Sequence, residues 1–153
     1  MDAEAAQAAL AELGLEGWEG PVQEALNGAK WQDKVEALEA MGRAVAEKQL
    51  GGRLSGALVC FLSTKTSGFR VSNVNILKAA VQCACSAVQN VGAGEGDRFS
   101  RSAAWELLKG LGDKLGDKKT KEPLEALLSG LCEARGVGGP SFVVRRMKVY
   151  AFF

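Results

Sequence analysis

Four cysteines, a glycine-rich run and a set of bases near one tryptophan are the residues of this chain that could do chemistry. Cys60, Cys83, Cys85 and Cys132 are the candidate nucleophiles or metal ligands, but one residue alone separates Cys83 from Cys85. That is neither the CxxC of a redox pair nor the spacing of a zinc knuckle, and four cysteines in 153 residues make no disulfide framework. There is no histidine. Its absence removes Ser-His-Asp and Cys-His catalysis, histidine zinc sites and histidine pH switching. The run Gly92-Ala-Gly-Glu-Gly96 follows a helical pattern rather than a strand and lacks a trailing Lys-Ser/Thr, so it reads as a connector, not a phosphate cradle. Carboxylates fall singly on expected outer faces, with no pair set for acid–base work. The chain reads as non-enzymatic, without cofactor or metal, and its thiols as small core hydrophobes in a reducing cytoplasm.

Recognition is the chemistry that remains, and it falls to three clusters. Trp31 stands beside Lys30 and Lys34; Arg70, Ser72 and Asn73 form a second group; Lys118, Lys119 and Lys121 form a third. Whether they act together depends on the elements that carry them. Apolar residues recur at helical spacing almost everywhere. Residues 34–48 align Val35, Leu38, Met41 and Val45; residues 71–91 align Val74, Leu77, Val81, Ala84, Cys85 and Val88. Residues 101–115 align Ala104, Leu108, Leu111 and Leu115, and residues 121–135 align Leu124, Leu127, Leu128 and Leu131. No segment holds a period of two, and only 142–153 offers a strand any competition. The fold class is all-α.

The breaks group these helices into antiparallel hairpins: 19–27 with 31–48, 51–63 with 69–91, and 98–115 with 120–135, then a final helix near 140–153. Pro21 suits a first helical turn, and Asp97 or Ser100, then Thr120, suit N-caps. Turns near Lys30, Val71 and Lys118 lie 41 and then 47 residues apart. Hairpins at that interval predict a HEAT/armadillo-like α-solenoid of about three and a half repeats. In such an array the intra-pair turns share one edge, which would gather the three clusters.

Charge is divided unevenly along the chain. Residues 1–27 carry six of the 18 acids and no Lys or Arg, leaving twelve acids against all 19 bases, an excess of seven positive charges. Residues 1–16 read as an acidic leader and 17–153 as the helical domain. No signal peptide is evident, and no apolar stretch approaches the ~20 residues that span a bilayer. The edge clusters favour an acidic protein surface as partner. Nucleic acid is disfavoured, because bases alternate with acids and few aromatics accompany them.

At these residues the sequence resembles the TOG domains of the microtubule polymerases, a HEAT-repeat family that binds αβ-tubulin. The pieces are Ala25-Leu26-Asn27 through Trp31-Gln-Asp-Lys-Val-Glu-Ala-Leu38, Gly68-Phe-Arg-Val-Ser-Asn-Val-Asn75, Phe99-Ser100, Lys114-Leu-Gly-Asp-Lys118 with Lys121-Glu-Pro-Leu-Glu-Ala-Leu127, and Gly139-Pro-Ser-Phe-Val-Val-Arg145. Their order is most similar to the third TOG domain of plant-type members. The resemblance implies tubulin contacts at Trp31 and Lys30, at Arg70, Ser72 and Asn73, and at Lys118, Lys119 and Lys121. It implies a role at growing microtubule plus ends in the cytoplasm, within the cytoskeleton. Lys34 stands where the family usually has Arg, and Phe69 where a tryptophan is common. A full TOG domain has six repeats, so the chain is expected to be a partial one. Phe142, Val143, Met147, Tyr150 and Phe153 of the last helix are expected to lack a covering helix, which suggests self-association there. The alternative function is a general HEAT scaffold that holds a peptide or helix of another protein against its helix faces, independently of Trp31.

Overall fold

The computed structural model describes residues 28–47, 52–66, 68–89, 98–99, 101–111, 118–134, 137 and 139–151. Among them are six helices and no strand: α1 (Trp31–Glu47), α2 (Gly52–Lys65), α3 (Val74–Gln89), α4 (Arg101–Leu111), α5 (Lys121–Glu133) and α6 (Gly139–Ala151). The all-α expectation holds, and the segment in which a strand could compete is α6. The leader 1–16, the helix expected at 19–27 and the caps Asp97 and Ser100 lie outside the described residues.

Packing sorts the helices into two rows. α1 packs on α3 and α3 on α5, whereas α2 packs on α4; α2 also packs on α3, and α6 closes against α4 and α5. Close approaches fix the directions. Trp31 and Asn75, at the starts of α1 and α3, line one groove. Further along, a Cβ on Gly42 would sit 3.7 Å from the Cα of Cys83. Start therefore meets start and second half meets second half, so α1 and α3 run parallel. A Cβ on Gly130, late in α5, would sit 3.4 Å from Val88, at the end of α3, so α5 shares that direction. In the second row, Gly110 at the end of α4 meets Gly68 and Phe69 just beyond the end of α2. The first row thus starts at the edge where the second row stops.

The core follows from the sequence periodicity. Leu38, Met41 and Val45 of α1 are buried with Leu58 and Leu62 of α2, Leu107, Leu108 and Leu111 of α4, and Leu124, Leu127 and Leu131 of α5. Fully burying one such side chain contributes roughly 1.5–3 kcal/mol. α3 runs through the centre with Ala79, Ala80, Val81, Cys83, Ala84, Ala87 and Val88 all buried; small side chains let neighbours approach from several sides. Cys83 and Cys85 are both core, and Cys60 and Cys132 are half-buried and not disulfide-bonded. Val35, Val74 and Leu128 are half-buried rather than core, and Leu115 lies outside the described residues.

The last helix departs from expectation. Val143 is buried and Phe142 half-buried against the core, with the Arg101 guanidinium 5.5 Å from the Phe142 ring centroid. Phe142 and Val143 are covered because α4 and α5 together form the seat of α6, while Pro140 and Ser141 stay exposed. Val144 is 51% exposed; the side chains of Met147 and Tyr150, and residue Phe153, lie outside the description. No helix among the described residues is long and apolar enough to cross a membrane.

Candidate protein-binding edge

The edge where the first row begins holds all eight residues expected to bind. At the first turn the Lys30 carbonyl accepts a hydrogen bond from the Lys34 N–H at 3.3 Å, which starts α1 directly at Trp31. Trp31 is 41% exposed and Lys30 is exposed, so the indole is not sealed into its own helix pair. One indole flank lines a groove with Val35; Lys34 is half-buried.

The second turn is the most constrained. Gly68 and Phe69 both have positive φ, 72° and 64°. For phenylalanine that geometry costs roughly 1–2 kcal/mol, and three features offset it. The Phe69 ring is completely buried. The Thr66 hydroxyl donates to the Leu62 carbonyl at 2.7 Å and accepts from the Phe69 N–H at 3.0 Å. The Gly68 N–H donates to the Ser63 carbonyl at 2.7 Å and the Arg70 N–H to the Thr66 carbonyl at 3.1 Å, closing the end of α2. The chain emerges with Phe69 inside and Arg70 and Ser72 exposed.

Asn73 has a different local job from the one its type suggested. Its Oδ1 accepts hydrogen bonds from the Asn75 N–H at 2.9 Å and the Ile76 N–H at 3.3 Å, so it is the N-cap of α3. The helix begins at Val74 rather than 69, because residues 66 and 68–73 belong to the connection. The signal was an Asn immediately before the first apolar-periodic residue. Only its amide nitrogen is left over by the cap.

At the third turn Lys118, Lys119 and Lys121 are exposed and surround buried Thr120. Thr120 occupies the N-cap position with φ −108° and ψ 5°, but its side chain makes no capping hydrogen bond; its carbonyl receives the Leu124 N–H at 3.0 Å. The three ammonium groups crowd the positive end of the α5 dipole, where cations are unfavourable by a few tenths of a kcal/mol each at an exposed site. Helix stability therefore does not account for the cluster.

A groove leads away from this edge. Trp31, Val35 and Glu39 of α1 face Asn75, Lys78 and Gln82 of α3 across a cavity of about 360 Å³. Trp31 belongs to both features, and Val35, Glu39, Lys78 and Gln82 were not among the expected binding residues. No protein-family model, no curated protein and no solved structure matches the chain.

Proposed function

We propose that the chain is a non-catalytic, HEAT-type α-solenoid segment that binds αβ-tubulin through the edge formed by its helix starts, and so acts at microtubule ends in the cytoplasm. The observation that carries this reading is the alignment of three exposed turns on that edge: Lys30 with Trp31, Arg70 with Ser72, and Lys118 with Lys119 and Lys121. An exposed tryptophan beside exposed bases suits an acidic partner, since aromatic anchors and arginine dominate interface energetics and complementary charge sets orientation. The resemblance of these same turns to those of TOG domains supplies the identity of the partner. Asn73 enters as a helix cap that shapes the second turn and offers its amide nitrogen beside Arg70.

The test is co-elution of the full chain with αβ-tubulin in size-exclusion chromatography. A triple variant carrying Trp31→Ala, Lys118→Ala and Lys119→Ala is expected to elute separately while retaining its helical circular dichroism. Co-elution of that variant at the native level would remove the proposal.

A further inference from the structure

The groove between α1 and α3 shares Trp31 with the edge and adds polar and charged groups of its own. α3 is buried along most of its surface, and its first nine residues expose Asn75, Lys78 and Gln82, at i, i+3 and i+7 on one face. Trp31, Val35 and Glu39, at i, i+4 and i+8, form the facing wall on α1. The apolar surface is confined to the Trp31–Val35 end, next to the edge. Glu39 lies at the far end and Lys78 between, and no salt bridge among the described residues joins them.

We propose that this groove binds a short extended segment of another protein. The segment sets an apolar side chain against Trp31 and Val35, a carboxylate on Lys78 and a basic side chain on Glu39. Length supports an extended occupant. Trp31 to Glu39 rises about 12 Å at 1.5 Å per helical residue, which about four residues of extended chain would span at 3.3 Å each. The wall chemistry agrees. Side-chain amides both donate and accept, so Asn75 and Gln82 match the N–H and C=O groups that an extended backbone leaves open. A helix satisfies its own backbone internally and would need a wider apolar trough than two side chains supply. Charge separates the occupant from the chain's own first 27 residues, which contain no Lys or Arg to place opposite Glu39. Along the axis, the contact of Gly42 on Cys83 sets Glu39 about 3 Å beyond Lys78, as one extended residue would be, and successive side chains of an extended chain point to opposite walls.

The groove shares Trp31 with the edge, so the test turns on Lys78 and Glu39, which the edge does not use. The experiment selects a phage-displayed random heptapeptide library on the immobilised full chain, then measures fluorescein-labelled selected peptides by anisotropy. Enriched peptides are expected to carry an apolar residue and, beyond it, an acid and a base at neighbouring positions. Lys78→Glu is expected to weaken them at least about tenfold, equivalent to about 1.4 kcal/mol, with circular dichroism unchanged. Replacing the peptide's acid with lysine is expected to restore binding to the Lys78→Glu chain. Failure to enrich that pattern, or indifference of the peptides to both Lys78→Glu and Glu39→Lys, overturns the proposal. Concentration-dependent self-assembly in light scattering that the same two substitutions abolish would assign the groove to a second copy, and overturns it too.

Discussion

A Cβ added to Gly110 would lie 2.6 Å from the carbonyl oxygen of Gly68 and 2.9 Å from the Phe69 ring. The end of α4 therefore rests directly on the turn that presents Arg70 and Ser72, and only a residue without a side chain permits it. Alanine normally favours a helix over glycine by about 1 kcal/mol. Here the clash is with backbone, and overpacking of that kind costs typically 1–3 kcal/mol. Gly110→Ala is expected to lower stability by up to about 2 kcal/mol net, read as a lower midpoint in urea. Gly42→Ala is the control: its Cβ would make ordinary contact at 3.7 Å, so that variant is expected to gain up to about 1 kcal/mol. Equal effects from the two would refute the tight contact at Gly110.

Thr66 holds the same turn from inside. Thr66→Val keeps the shape and removes both hydroxyl bonds, leaving the N–H of buried Phe69 without its acceptor. An unsatisfied buried donor costs about 1–3 kcal/mol, and a positive-φ phenylalanine adds to the tendency of the turn to relax. The expected result is a loss of about 2 kcal/mol, with faster amide exchange at Phe69 and Arg70. Thr66→Ser, which retains the hydroxyl, is expected to recover most of that loss.

Helical periodicity made α1, α3, α4 and α5 legible, because each buries one apolar stripe that repeats every three to four residues. The expectation that the three turns share one edge came instead from their intervals of 41 and 47 residues, read as a helical-hairpin repeat. The start of α3 was misplaced by several residues because the helix-compatible run Phe69–Ser72 gives no sign of positive φ. That conformation is imposed by Thr66 and by burial of the Phe69 ring, which are tertiary causes. The cover over Phe142 and Val143 was missed for a similar reason: α4 lies far from α6 in sequence, and nothing local to α6 signals Arg101. The groove was illegible because Glu39 and Lys78 look like any solvated charges until α1 and α3 are known to run parallel.

Burial pushes the Cys83 thiol up to about 12 from 9.0. A pKa raised in the folded state means stability that is complete below pH 9 and lost as pH rises toward 12, because only the unfolded chain releases the proton in that window. One such group adds a slope of up to about 1.4 kcal/mol per pH unit there. The comparison that isolates this thiol is with Cys83→Ala, whose packing loss is independent of pH. The native chain is expected to lose stability more steeply than that variant between pH 9 and 12 in denaturant titrations. Parallel curves would show that Cys83 ionises without unfolding.

Asn73 joins the fold to the proposed function, and two substitutions separate its roles. Asn73→Ala removes the acceptor for the Asn75 and Ile76 N–H groups and is expected to cost about 1 kcal/mol. Asn73→Asp keeps that acceptor and adds a negative charge at the positive end of the α3 dipole, so stability is expected to hold or rise by a few tenths of a kcal/mol. The same carboxylate replaces an amide donor beside Arg70 with a charge that repels an acidic partner. Tubulin co-elution of Asn73→Asp is therefore expected to weaken although its thermal midpoint does not fall. If Asn73→Asp binds as well as the native chain, Asn73 is a cap and nothing more, and contact at the second turn rests on Arg70 and Ser72.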